Sequence, residues 1–152
     1  MGKVEASVKV AGLASAAEAL WYDTSRWPSF VDGLKHVERL EGGWPATGGR
    51  VLWDSNPGGR GRVQERVRTY EARTGQTADV EDEQIRGTQR VSFTPADDGV
   101  TVALELEYEV KEARPGMWLV DIVFVRRAQK ESLGRTLRRF AVELAADREP
   151  AV

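Results

Sequence analysis

The stretch Thr101-Val-Ala-Leu-Glu-Leu-Glu-Tyr-Glu-Val-Lys111 alternates without a break. Val102, Leu104, Leu106, Tyr108 and Val110, with Val100 just before them, share one face of an extended chain, whereas Thr101, Glu105, Glu107, Glu109 and Lys111 share the other. A strand divided in this way is dry on one side and wet on the other, the pattern of an antiparallel sheet with a single covered face. On its N-terminal side, Asp97-Asp98-Gly99 reads as a tight hairpin turn and Thr88 to Thr94 as the partner strand. On its C-terminal side, Pro115-Gly116 breaks the alternation and the period becomes helical. Leu133, Leu137, Phe140 and Leu144 form a stripe spaced i, i+4, i+7, i+11. Extended backward, the stripe runs through Ile122 and Leu119, so the helix is expected from about Pro115 to Ala146.

The rest of the chain fits around these two walls. Lys3 to Val10 alternates, with Val4, Ala6, Val8 and Val10 on one face, and reads as an opening strand. Ser15 with Glu18 spells a capping box for a short helix through Trp21. Trp27-Pro28 starts a second helical turn through Phe30 and Val31. Strands are expected at Val37 to Glu41, Arg50 to Asp54, Gly61 to Ala72 and Thr77 to Asp82. The Gly42-Gly43 and Gly48-Gly49 pairs bracket a loop carrying Trp44 and Pro45, and Asn56-Pro57-Gly58-Gly59 is a turn. The fold class is therefore α+β: a curved seven-stranded antiparallel sheet around a long C-terminal helix, with two short helices after the first strand. A single domain over 1–148 with a short tail at 149–152 accounts for the length. Between sheet and helix the reading expects an internal cavity, lidded by the loops around Trp44 and Pro57.

The residue order resembles the START-like (SRPBCC) superfamily, whose fold is called the helix-grip, and in particular its polyketide cyclase/dehydrase-like branch. Leu20-Trp21, Asp23, Trp27-Pro28 and Phe30 are similar to its first-helix pattern. Gly61, Val63, Glu65, Arg66-Val67 and Tyr70-Glu71 resemble its central strand, and Arg126-Arg127, Ser132-Leu133, Thr136-Leu137 and Phe140 its C-terminal helix. The resemblance covers about Val4 to Leu144. It implies a hydrophobic ligand and leaves the function open, because members range from aromatase/cyclases to lipid carriers, hormone receptors and chaperone co-factors.

Composition narrows the classes. Twenty-two basic and 24 acidic residues give a net charge of −2, without the basic excess of a nucleic-acid binder. The longest apolar run, around Met117 to Val125, is far short of the ~20 residues that cross a bilayer. There is no cysteine, which excludes disulfides and thiolate chemistry and fits a reducing cytoplasm. One histidine, His36, and no cysteine make a zinc site untenable, so no metal and no cofactor is expected. His36 has no nucleophile elbow near it and reads as a surface residue at a strand start. The acidic run Asp79, Glu81, Asp82 and Glu83 alternates faces and reads as a solvated hairpin end.

The candidate site is therefore the cavity wall. Trp27, Phe30, Trp53, Phe93 and Tyr108 can face inward, and Ile122 joins them from the helix. Parity along Val63 to Thr69 places Glu65 on the apolar face, and the helical projection places Arg126 on the inner stripe. A buried charge is costly unless paired. Glu65 and Arg126 are then partners, a ligand anchor, or both, unless the helix bends and Arg126 snorkels outward. Two functions fit: binding of a small, mostly apolar molecule (lipid, polyketide or quinone-like), or aromatase/cyclase-dehydratase chemistry on a poly-β-keto chain. In the second, Glu65, Tyr70 or Tyr108 would move the proton. Whether the protein is an enzyme, and whether it is a monomer or a dimer, stays open at this level.

Overall fold

The computed structural model describes residues 1–111 and 118–148, with the backbone alone described for 118–121. The element order is β1 (Gly2–Ala11), α1 (Ala14–Tyr22), a 3₁₀ turn (Thr24–Arg26), α2 (Trp27–Phe30), β2 (Leu34–Glu41), β3 (Arg50–Ser55), β4 (Arg62–Glu71), β5 (Gly75–Glu81), β6 (Ile85–Ala96), β7 (Gly99–Val110) and α3 (Trp118–Arg148). All seven strands join one antiparallel sheet in the order β1-β7-β6-β5-β4-β3-β2. This is the helix-grip arrangement. The start of α3 near Pro115 and the tail at 149–152 lie outside the described residues.

The alternation that defines β7 is reproduced as burial: Val100, Val102, Leu104, Leu106 and Tyr108 are all buried. They form the inner face with Val4 and Val10 of β1, Val91 and Phe93 of β6, Val80 of β5, Val63 and Val67 of β4, and Val51 and Trp53 of β3. Leu133, Leu137, Phe140 and Leu144 of α3 close onto this face. The helix lies mainly over β1 and α2, toward one side of the concave sheet. The β3–β6 side is covered by side chains from the loops, from α1 and α2, and, across a gap, from the Gln129–Thr136 edge of α3.

Two local expectations are corrected. The N-cap of α1 is Leu13, without a side-chain bond, so Ser15 sits inside the helix and no capping box forms. Glu18 instead accepts a hydrogen bond from the Arg73 amide across in the β4–β5 turn. The acidic run is not uniformly solvated either. Asp82 is buried, its Oδ1 accepting from the Gln84 and Ile85 amides at 2.7 and 2.9 Å. An Asx-type turn satisfies these two amides at the strand junction, which is why a carboxylate is kept there.

α3 is pinned in place by a polar contact. Asp32, between α2 and β2, accepts from Arg135 Nε at 3.0 Å, Arg139 at 3.2 Å and Ser132 Oγ at 2.9 Å, while its amide donates to Thr136 Oγ1 at 2.9 Å. At the far end Arg26 bonds Glu143 and Asp147. Sequence separation of 100 residues or more makes these the contacts that fix the helix over the sheet.

Candidate functional site

Between the sheet and α3 lies a small enclosed space of about 40 Å³. Every layer contributes to its wall: Trp27 from α2, Trp53 from β3, Glu65 from β4, Gln76 and Ala78 from β5, and Gln129 and Leu133 from α3. Two loops complete it, one through Trp44 and the other through Arg60.

Glu65 occupies this wall because of strand parity. Val63 and Val67 are its same-face neighbours and both are buried, so Glu65 must be too; it is 8% exposed. Its backbone pairs with Val51, which puts Trp53, paired with Val63, on the diagonal. From there Trp53 Nε1 donates to Glu65 Oε2 at 2.8 Å. Among the described residues no cation lies within ion-pair distance of Glu65. Burial pushes the carboxyl above the usual carboxylate range, against the opposing pull of the Trp53 hydrogen bond and the Arg60 charge.

The tryptophans around it present ring faces, because their N–H groups are used elsewhere. Trp27 Nε1 donates to the Trp21 carbonyl at 2.7 Å and Trp44 Nε1 to the Tyr22 carbonyl at 3.0 Å. Trp27 and Trp44 meet edge to face at 5.5 Å. Gln76 donates to the Pro45 carbonyl at 3.0 Å and so ties the Trp44 loop to β5.

Not every expected site residue joins this wall. Trp27, Trp53 and Glu65 do. Phe30 is core, packed on Trp21 and Phe140 at 5.7 and 5.4 Å, and Phe93 packs on Tyr22 at 6.0 Å. Tyr108 shares a cross-strand row with Glu65, through Val80 and Gly87. Three strand spacings separate the two, roughly 14 Å. The Tyr108 ring instead lies across Gly2, where a Cβ would meet it at 2.4 Å. Burial raises its hydroxyl, with the Arg126 charge acting against this. Tyr70 reaches the inner face only because β4 bulges between Val67 and Thr69, and it meets Tyr22 edge to face at 5.5 Å, away from Glu65.

Ile122 and Arg126 are corrected outright. From Ile122 to Ala128 every residue except Val125 is exposed, with Ile122 at 44%. From Ile122 onward, Val125 is partly buried against the core and the first buried side chain is Gln129. The projected stripe continued past the point where sheet remains to cover it, and Arg126 keeps its charge in water.

The cation nearest Glu65 is Arg60, in the β3–β4 turn. Its guanidinium lies 5.4 Å from the Trp53 ring centroid, and its Nε donates to Asp82 Oδ2 at 2.7 Å. Parity rules do not extend into turns. The available signal was an arginine held between glycines, directly before a strand that carries an inward acid. His36 is a half-exposed surface residue 3.5 Å from Asp54. Among the described residues no group of three or more acidic or histidine side chains is placed to hold a metal ion. No helix there is long and apolar enough to cross a membrane.

Comparison with known proteins agrees with this architecture. Residues 1–145 match the family described as polyketide cyclase / dehydrase and lipid transport, and the chain belongs to that family. A comparison with curated protein sequences found no match. Among solved structures, the chain is similar to the Zhui aromatase/cyclase from Streptomyces sp. R1128, with a TM-score of 0.82 at 14% identity, covering 97% of this chain and 96% of that one. A START superfamily protein from Mycobacterium smegmatis gives 0.74 at 18% identity, with 95% and 97% covered. The di-domain ARO/CYC StfQ of the steffimycin biosynthetic pathway gives 0.74 at 17% identity, with 96% of this chain matched to 51% of that one. At these identities the likeness shows the fold.

Proposed function

We propose that the chain binds a small, mostly apolar molecule between the concave sheet and α3, with the Glu65 carboxyl orienting its polar end. The observation that carries this reading is Glu65 itself. A buried carboxyl without an ion-pair partner costs stability, and an apolar side chain between Val63 and Val67 would pack better. A group retained against stability, facing a space walled by tryptophan rings, suits a ligand with one polar end and an apolar body. The family description, which joins cyclase and lipid-transport proteins, supports the same reading.

The enclosed volume of about 40 Å³ holds about three waters at most. Ligand pockets run to roughly 300–1,000 Å³. Binding is therefore coupled to displacement of the Trp44 loop and the Arg60 turn, two parts of the wall that belong to no strand or helix. With no cysteine to oxidise, the protein suits a reducing cytoplasm.

Native mass spectrometry of the protein purified from its own host tests the reading. The expected result is a non-covalent adduct that organic solvent removes. No adduct, together with unchanged tryptophan fluorescence across a panel of apolar ligands, would overturn it.

A second reading, cyclisation of a poly-β-keto chain, is favoured by one observation: an acid and a guanidinium share the wall. Glu65 could transfer the proton while Arg60 polarises a carbonyl. Tyr70 and Tyr108 are each placed elsewhere. Turnover of a poly-β-keto substrate that survives Glu65→Gln unchanged removes this reading.

A further inference from the structure

Three ionisable side chains meet where the β3–β4 turn reaches the cavity, and only one is a cation. Asp82 is committed to three donors: Arg60 Nε at 2.7 Å and the Gln84 and Ile85 amides. Its side chain is 1% exposed, so its charge is spent on Arg60 and not on water. Arg60 is held from two sides, by Asp82 and by the Trp53 ring, and its terminal nitrogens have no partner among the described residues. Glu65 gives one oxygen to Trp53 and has no charge left to pair with.

The consequence is a count. One guanidinium stands between two acids, and Asp82, with its two amide donors, is the acid it bonds. Burial and the lack of an ion-pair partner raise the Glu65 carboxyl and favour its protonated form, in which the Glu65 O–H joins the free Arg60 N–H groups as donors toward a ligand. The other ionisable group in the wall, Asp32, is already bonded to Arg135 and Arg139 at the helix surface. A carboxylate placed here would be a third acid around a single, partly exposed cation. A carbonyl oxygen accepts from the same donors without adding charge.

The geometry points to the Glu65–Arg60–Asp82 cluster as a selector that admits a neutral carbonyl oxygen and refuses a carboxylate. The ligand class is thus an aryl ketone or quinone, and fatty and aromatic acids are rejected. This rests on the binding reading above and names its ligand. Arg60 and Glu65 touch the ligand; Asp82 is a positioning residue that acts through Arg60.

Isothermal titration at neutral pH with naphthyl methyl ketone and naphthoate, which share a ring system and differ in the polar end, tests this on the intact protein. The ketone should bind at least about tenfold tighter, the difference of one charge-assisted hydrogen bond. Asp82→Asn releases the Arg60 charge and should close that gap at least about tenfold by admitting naphthoate. Arg60→Gln should weaken the ketone about tenfold without admitting naphthoate, and it decides the matter if Asp82→Asn does not fold. Naphthoate binding as tightly as the ketone, a gap that survives Asp82→Asn in folded protein, or a ketone affinity untouched by Arg60→Gln each overturns the selector. Two ligands that bind equally overturn the selector and leave the binding reading standing; two that do not bind at all overturn the selector, while the binding reading is decided by the native adduct and the ligand panel.

Discussion

The indole of Trp53 reaches diagonally across the β3–β4 pair to donate its N–H to Glu65 Oε2 at 2.8 Å. The contact satisfies one lone pair of a buried acid with a neutral donor, which leaves the charge question unsolved. A neutral hydrogen bond lowers the cost of burying a carboxyl but does not supply the Coulomb energy that would keep it ionised. Arg60 is near enough to oppose the effect of burial, yet its bond goes to Asp82. The sheet thus biases its acid toward the form that can donate, and the site's behaviour should follow proton activity.

That gives a sign. Glu65 has a raised pKa in the folded protein, so above the ordinary value of about 4.3 the unfolded chain loses this proton before the native one does. The stability it contributes is complete below that value and is lost as pH climbs toward the folded one. Glu65→Gln has no proton to lose. Thermal melts should show the variant gaining on the parent as pH rises from acid to neutral, and two parallel curves would refute the neutral acid.

Asp32 has the opposite sign. Burial alone would raise its carboxyl, but the bonds from Arg135 and Ser132 and the charges of Arg135 and Arg139 outweigh it and hold the group below its ordinary value. Its contribution is present above about pH 3.9 and is lost as pH falls through the folded value. Asp32→Asn should destabilise by about 1–3 kcal/mol in urea melts at neutral pH, because Arg135 loses a paired charge. The difference from the parent should shrink in acid.

These groups were unequally legible in the sequence. Glu65 could be placed by parity, since a strand with Val63 and Val67 on one face leaves position 65 no choice. The helix offered the same periodicity at Ile122 and Arg126 and misled, because periodicity gives direction but not whether anything lies opposite. Arg60 and Asp82 sit in turns, where no period operates, and their pairing depends on how the β3–β4 and β5–β6 turns approach each other. Tyr70 depended on a bulge, which shifts parity by one residue and leaves no mark in composition.

Two phenylalanines of one helix test where α3 leaves the sheet. Phe140 is fully buried against Trp21 and Phe30, whereas Phe124 is 74% exposed. Phe140→Ala should cost about 3–5 kcal/mol in denaturant melts. Phe124→Ala should stay within about 0.5 kcal/mol. Comparable losses at the two positions would mean that the first half of α3 is covered in solution.

The last prediction separates the cavity from the rest of the surface. Ala78 is 3% exposed, lines the enclosed space, and pairs with Val67 on one side and Gln89 on the other. Added methyl groups in a well-packed core cost about 1–3 kcal/mol in strain. Here they enter a space already open to a water-sized sphere, about 40 Å³ of it. Ala78→Val should therefore leave the melting midpoint unchanged or higher. The same methyls stand where the body of a ligand must lie, so affinity for naphthyl methyl ketone should fall at least about tenfold, the equivalent of 1.4 kcal/mol. Full affinity in a stable Ala78→Val protein would place the ligand somewhere other than between sheet and helix.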